Sequence, residues 1–284
     1  MPRLDFQTRF FPRIASPGHF CPFYRQQLPG ALLQPYIRCF WGSDVSFNPH
    51  TTPFYTDTLI IPDACLDLIF IQDTPDGPVH SMLAAMDDRY TVDRWDAGCT
   101  DISVFGVRFY FWAMGFLTAA PLDGTLGSSL SPGAFFPGVE ELEKRMGESV
   151  TFAQRAALAE AYCARLIERG RPSGAFLQGA HFLLKRRGTG TLPQLSREIG
   201  YSQRQTERIF RRAVGASPKQ LADIVRYQCV WQELLRNKET HLLDLVPRYG
   251  YTDQSHLIAD FKKHHSLTPA KALKGYFQRE PPDG

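Results

Sequence analysis

The sequence lacks the features that mark membrane, secreted and zinc-binding proteins. No stretch approaches about 18 apolar residues without a charge, and the start MPRLDFQTRFF has no apolar signal-peptide core. The six cysteines, at positions 21, 39, 65, 99, 163 and 229, form no C-x-x-C pair. We therefore expect a cytoplasmic protein with no membrane partner, whose thiols are buried and form neither disulfides nor a zinc site.

The sequence also has little that catalysis would need. It contains no phosphate-binding loop and no pairing of a nucleophile with a base. In the amino-terminal half the histidines are His19, His50 and His80, far apart and without an H-x-H pair, so we do not expect a metal-dependent barrel enzyme. We predict no catalytic residue, no metal and no cofactor.

The composition is that of a globular protein with an uneven charge. Of its 284 residues 43% are hydrophobic and 21% charged, which leaves room for two domains, each with its own core. Residues 1–174 carry 14 Lys and Arg against 19 Asp and Glu, a net charge of −5, whereas residues 175–284 carry 18 against 10, a net charge of +8. The second segment has the positive charge that a surface neutralising phosphates requires.

The apolar pattern predicts an α+β fold. Short apolar runs bounded by Pro and Gly indicate a β-rich barrel or sandwich, an effector or regulatory domain, over residues 1–137. The predicted strands are 59–61, 66–71 and 104–112. Helical spacing marks 138–169 as a candidate dimerisation segment, 170–174 have the composition of a linker, and 175–280 are helical throughout.

The same short phrase occurs twice in the cationic segment. Gly-Tyr-Ser/Thr, then Phe, then Ser/Thr-Pro runs over residues 200–218 and again over 250–269. Each copy predicts an apolar helix, a glycine turn and a polar helix, which is the order of a helix-turn-helix. We place the two units at about 192–212 and 242–264, and we expect the polar helix of each to enter a DNA major groove.

The recognition helix of the first unit is predicted at 203–212, capped by Ser202. Its apolar stripe would contain Thr206 and Phe210, and Arg204, Arg208 and Arg211 lie most nearly opposite. A bidentate Arg–guanine pair contributes roughly 1–3 kcal/mol of discrimination. The candidate DNA contacts of this unit are Gln203, Arg204, Gln205, Glu207, Arg208, Arg211 and Arg212.

The second recognition helix is predicted at 254–264, capped by Asp253, with small outward side chains. Pro247 is compatible with the preceding helix if that helix starts near Leu243 or Asp244. We expect the first unit to discriminate sequence and the second to dock mainly on phosphates through Lys262 and Lys263. The candidate contacts are Gln254, Ser255, His256, Ala259, Lys262 and Lys263. His256 either contacts DNA or bonds to the backbone, and His264 and His265 are expected to pack rather than bind metal.

The chain between the units, 218–235, is predicted to be one long helix. Its apolar residues recur at helical spacing. A rigid connector of this kind would set the recognition helices about one DNA turn apart, roughly 34 Å.

Two segments, SQRQTERIFRRAVGASPKQL and GYTDQSHLIADFKKHHSLTPAKAL, closely resemble the AraC/XylS transcription regulators, over about residues 176–277. The resemblance implies seven helices, two helix-turn-helix units in adjacent major grooves of double-stranded DNA, and activation through RNA polymerase. The positions that match the family's base contacts are Arg204, Glu207, Arg208, Gln254, Ser255, His256 and Ala259. The family often has Leu where Thr206 stands, so this core position is slightly more polar here. It often has Arg where Ala259 stands, so the resemblance implies weaker base readout by the second helix.

Upstream, LQPYIRCFWG, IIPDACLDLIF and GVRFYFWAMGF resemble the amino-terminal domain of one branch of these regulators. That resemblance implies a β-rich domain for a small-molecule effector, followed by helices that pair subunits in a homodimer. The candidate ligand-binding residues are Asp63, Asp67, Arg108 and Trp112. Asp63, Asp67 and Arg108 either form an internal ion pair or bind the effector. Trp41, Trp95 and Trp112 either line an apolar pocket or belong to the core.

The leading hypothesis is therefore a cytoplasmic, sequence-specific transcription regulator, an activator by resemblance, controlled by its amino-terminal domain. One alternative is an amino-terminal enzyme domain with a DNA-binding appendage. Another is an architectural protein that binds DNA without sequence preference.

Overall fold

The computed structural model describes residues 6–14, 23–43, 45–51, 58–74, 77–93, 101–237 and 239–278. His19, Cys21, Trp95 and Cys99, on which predictions above fall, lie outside these residues. Cys39, Cys65, Cys163 and Cys229 are free and buried, as expected. In the described part of the chain, no helix is long and apolar enough to cross a membrane.

The amino-terminal part is built on one antiparallel sheet. The strands are β1 Tyr24–Gln27, β2 Ile37–Ser43, β3 Thr58–Ile60, β4 Cys65–Gln72, β5 Val79–Ala84, β6 Thr91–Asp93, β7 Ser103–Tyr110 and β8 Ser129–Leu130. Six of them pair in the order β1-β2-β7-β4-β5-β8, and β3 pairs separately with β6. Because β1 and β8 end the order at opposite edges, the sheet is not closed into a barrel, and the arrangement is sandwich-like.

The central strands β4 and β7 are the apolar runs that the sequence marked. Both are buried along nearly their whole length, which matches their β-branched and aromatic composition. The strand predicted at 104–112 stops at Tyr110. A 3₁₀ turn at Phe111–Ala113 and a short helix follow, and these turn the chain away from the sheet.

The helices account for the rest of the described fold. They are α1 Phe6–Arg9, α2 Met114–Leu117, α3 Val139–Gly147, α4 Phe152–Arg169, α5 Gly174–Lys185, α6 Leu192–Ile199, α7 Gln203–Val214, α8 Pro218–Arg236, α9 Leu242–Arg248, α10 Gln254–His265 and α11 Pro269–Gln278. Thr151 starts α4 with a capping box, and the buried Ala156, Ala159 and Cys163 turn one face of that helix to the core.

One hydrophobic core runs through both parts of the chain, where the composition suggested two. Aromatic rings show the path: Phe111, just after β7, lies 6.4 Å from Phe176 of α5, which lies 5.2 Å from Phe210 of α7. The sheet and the first helix-turn-helix are therefore packed against each other through side chains that exclude water.

Candidate nucleic-acid interface

The first helix-turn-helix consists of α6 and α7, joined by a tight turn at Gly200. Gly200 has φ +75°, the left-handed conformation that glycine adopts without strain. Ser202 then begins α7 with a capping box, in which its Oγ accepts from the Gln205 amide and its own amide donates to Gln205 Oε1. The predicted cap and turn are therefore present.

The faces of α7 follow the helical period of its sequence. Thr206, Phe210 and Val214 are buried, whereas Arg204 and Arg208 are exposed. The other exposed candidates of this helix are Gln203, Gln205, Arg211 and Arg212, and Glu207 is half-buried. The capping box occupies Gln205 Oε1, so only the amide nitrogen of Gln205 is available as a donor to DNA.

The polar residue Thr206, inside the apolar stripe, has a structural partner in α6. Ser196 Oγ donates to Thr206 Oγ1 at 3.0 Å, and Thr206 Oγ1 donates to the Ser202 carbonyl at 3.0 Å. Both side chains are buried. This pair of hydroxyls joins the two helices, so a polar side chain inside the apolar stripe is explained by helix packing, without a role in DNA contact.

The second unit, α9 and α10, has the predicted turn but a different first helix. Gly250 has φ +66° and Asp253 Oδ1 accepts from the His256 amide, as expected for the turn and cap. The helix before them begins at Leu242, so Pro247 lies in its last turn and not in its first. Because proline has no amide hydrogen, α9 lacks one helical hydrogen bond at Pro247. The loss is tolerated because Pro247 lies near the end of this seven-residue helix.

The outward face of α10 is small and polar. Gln254, Ser255, His256, Ala259 and Lys262 are exposed, and Lys263 is half-buried. His256 Nδ1 lies 3.1 Å from Thr252 Oγ1, and the ring meets Tyr251 edge-on, so this histidine has local partners while it stays exposed. On the opposite face, Leu257, Phe261, His264 and His265 are buried.

The adjacent histidines pack inside the protein. His265 Nδ1 pairs with Tyr227 Oη at 2.7 Å, and its ring stacks on Phe261. Burial lowers the pKa of both His264 and His265 to about 4. Among the described residues no group of His, Cys, Asp or Glu is placed to hold a metal ion.

The connector α8 fixes the second unit with an ion network that the sequence did not reveal. Arg226 Nη2 contacts Asp260 Oδ2 of α10 at 3.0 Å and Asp223 Oδ1 at 3.2 Å, and Tyr251 Oη donates to the same Asp260 oxygen at 2.7 Å. The Arg226 guanidinium also covers the Tyr251 ring. At 19 residues, α8 is about 28 Å long, comparable to one turn of DNA.

The amino-terminal part touches the first unit directly. The Leu122 amide donates to the Arg212 carbonyl at 2.9 Å, and Gln220 Nε2 at the start of α8 donates to Asp88 Oδ2 at 3.0 Å. At Gly215, which caps α7 with φ +77°, a methyl group would lie 2.9 Å from the Leu122 carbonyl oxygen. The end of the recognition helix is therefore shaped to fit the loop after α2.

Gln228 of α8 makes a second connection, which we call the Gln228 bridge. Its Oε1 accepts from the Arg13 amide at 2.8 Å, and its Nε2 donates to the carbonyls of Arg13 at 2.9 Å and of Pro62 at 2.7 Å. The side chain is fully buried. One glutamine therefore joins the amino-terminal arm, the chain before β4 and the connector helix.

The polar groups of the sheet form a compact ion cluster. Asp67 and Arg108 are opposite each other in the register of β4 and β7, and Arg108 contacts Asp67 at 2.9 Å and Asp63 at 3.1 Å. Trp41 Nε1 donates to Asp67 at 2.7 Å. Burial raises the pKa of Asp63, and the Arg108 charge opposes that effect. This geometry is the internal ion pair that the sequence allowed.

Trp112, the fourth candidate of that group, lies in the core. Its ring stacks on Tyr110 with centroids 4.3 Å apart, and its Nε1 donates to the Pro35 carbonyl at 2.8 Å. The buried indole is thus fully engaged by protein.

Comparison with known proteins agrees with this geometry. Residues 195–275 match the family described as helix-turn-helix domain, and residues 25–131 match a domain of unknown function. Over 79 residues the chain is 32% identical to the probable transcription factor PqrA of Proteus vulgaris. That match spans 27% of this chain and 62% of the length of PqrA.

The chain also has weak similarity to two solved structures. Fatty-acid-bound ToxT from Vibrio cholerae is 10% identical, with 86% of this chain and 98% of ToxT covered at a TM-score of 0.42. The xylose-binding transcription activator XylR is 15% identical, with 43% of this chain and 39% of XylR covered at a TM-score of 0.33.

Proposed function

We propose that this chain, whose residues 195–275 match the helix-turn-helix domain family, is a sequence-specific DNA-binding transcription regulator of the AraC type and not an enzyme. The proposal rests mainly on α7, which has one buried face and one exposed, arginine-bearing face. Its buried stripe holds the helix in place, and its opposite face presents exposed Arg204 and Arg208 with no carboxylate within 4.0 Å among the described residues. Guanidiniums so placed match guanine edges and phosphates.

In this proposal, the first helix-turn-helix unit reads bases and the second contacts mainly phosphates. The first presents Arg204, Arg208, Arg211 and Arg212, which favours base readout. The second presents small side chains with Lys262 and Lys263, which favours phosphate contacts. The length of α8 supports binding to adjacent turns of one duplex.

We further propose that the amino-terminal part controls this binding as an effector domain and that the regulator acts on RNA polymerase, as an activator, in the cytoplasm. The contacts of Leu122 with Arg212 and of Asp88 with Gln220 support control, because any shift of the sheet would reach α7 and α8 through them. Homodimerisation through 138–169 is part of the proposal, and light scattering of the full chain tests it.

The test of DNA recognition is Arg208→Ala in the full chain. A site is first selected from a random duplex library, and fluorescence anisotropy then measures affinity for that site and for random duplex at one salt concentration. We expect a loss of roughly 1–3 kcal/mol on the selected site and relaxed preference at one base pair. Arg89→Ala, at an exposed arginine between β5 and β6, is the matched control. An equal loss on both duplexes would assign Arg208 to phosphate, and failure to enrich any site would contradict sequence-specific binding.

A further inference from the structure

A polar cavity lies on the helical part of the chain, and its lining includes none of the residues assigned to DNA. Its volume is about 350 Å³, and it is bounded by α1, the end of α5, the last turns of α8 and the end of α9. Its polar lining consists chiefly of Arg9, Lys185, Arg187, Gln232, Glu233 and Arg236. The proposed function uses none of these residues.

The lining carries more positive than negative charge. Four cationic side chains face one carboxylate, that of Glu233. Glu233 is already paired, 3.5 Å from Arg187 and 2.9 Å from Arg248, which lies outside the lining. In the part of the chain that the structure describes, neither Arg9, Lys185 nor Arg236 has a carboxylate within 4.0 Å. Because no described carboxylate neutralises these three cations, the cavity favours an anion.

A buried donor in the same lining points the same way. Gln232 Nε2 is inaccessible to solvent and has no hydrogen-bond partner among the described residues. Leaving a buried donor unpaired is unfavourable, and a turn of the Gln232 side chain into the cavity would let an anionic oxygen accept from it.

The surroundings of the cavity also respond to its charge. His181 is on α5, which also carries the lining residue Lys185, and the His181 ring lies 6.3 Å from that of Phe6 on α1. Burial lowers the pKa of His181, and the charges of Arg9 and Lys185 lower it further. The positive charges of the cavity lining therefore also act on His181, which is not part of that lining.

We propose that this cavity binds a small phosphate-bearing molecule, held by Arg9, Lys185 and Arg236, with the Gln232 amide donating to it. Several cations around a polar space favour a ligand with more than one negative charge, and the planar guanidinium matches phosphate oxygens in pairs. The volume is at the small end of ligand pockets, which limits the ligand to about the size of a mononucleotide. The proposal does not depend on DNA binding.

The test is isothermal titration calorimetry of the full chain with pyrophosphate, inorganic phosphate and acetate at constant ionic strength. We expect saturable binding of pyrophosphate, weaker binding of phosphate and none of acetate. Arg9→Gln and Arg236→Gln should each weaken pyrophosphate binding by about tenfold or more, since each removes a charge-assisted contact. Lys185→Gln, on the exposed surface of α5, supplies a third variant should either arginine variant misfold by circular dichroism.

Two controls separate this site from other cationic surfaces. Arg165→Gln, on α4, and Arg208→Gln, on α7, should bind pyrophosphate as the unchanged chain does. Loss of binding in Arg208→Gln alone would place the anion on the DNA-binding face and overturn the proposal. No binding by the unchanged chain, equal binding of acetate, or full binding by the cavity variants would overturn it as well.

Discussion

Replacing Thr206 by valine tests how the two helices of the first unit are held together. Valine keeps the shape of threonine but removes the hydroxyl that accepts from Ser196 at 3.0 Å. The Ser196 hydroxyl is then buried without its acceptor, and an unpaired buried polar group costs about 1–3 kcal/mol. We expect the free energy of unfolding to fall by that amount.

The double variant Thr206→Val with Ser196→Ala distinguishes this cause from a general loss of packing. It removes both hydroxyls, so no donor is left unpaired, and we expect it to be more stable than Thr206→Val alone. The coupling should lie within about 0.5–3 kcal/mol, as for residues in contact.

The assay is urea unfolding followed by tryptophan fluorescence, with midpoints compared at equal slope. Thr91→Val, at an exposed threonine of β6, is the matched control and should change stability by no more than about 0.5 kcal/mol. The reasoning is refuted if Thr206→Val is as stable as the unchanged chain, or if the losses of the two single variants simply add in the double variant.

Three further predictions concern the second unit and the joint between the parts. Lys262→Ala should weaken binding to all duplexes alike and lower the salt slope by about one, and a loss confined to one sequence in a salt titration would argue against a phosphate contact. Gln228→Leu should cost on the order of 3 kcal/mol in urea unfolding, because three main-chain groups lose their partner, and an unchanged midpoint would show that the Gln228 bridge contributes little. The pKa of His265 is about 4 in the folded chain, so the unfolded chain takes up a proton first as pH falls below about 6.5, and stability drops. Between about pH 7 and pH 5, the free energy of unfolding should therefore fall by about 2 kcal/mol less in His265→Asn than in the unchanged chain. Parallel pH profiles of the two proteins would contradict this.

The local features of the helix-turn-helix units could be predicted from the sequence because they depend on neighbouring residues. Ser202 and Asp253 cap the helices that they precede, and Gly200 and Gly250 take the left-handed conformation of the turns. The exposed position of Arg208 follows from the helical period alone. Strand β4 was likewise evident as an apolar run.

The features that could not be predicted depend on residues far apart in the chain. Gln228 meets Arg13 across 215 positions, and Arg226 meets Asp260 across 34. No local pattern specifies such approaches, since they arise only when helices and sheet pack. Asp67 and Arg108 were singled out as charged residues beside apolar strands, but only the register of the sheet decides that they pair with each other.

The hydrophobic core shared by the two parts has a consequence for modularity. A segment cut at residue 175 would uncover the Phe176 ring that now meets Phe111, and it would leave the Gln228 amide facing solvent where main chain covers it today. The carboxy-terminal half of this chain, which we propose binds DNA, therefore cannot simply be exchanged between proteins as a separate module. Fusing it to a different amino-terminal domain would require a new apolar neighbour for α5 and a new loop that fits against Gly215. The interface between the two parts would therefore have to be redesigned in such a hybrid.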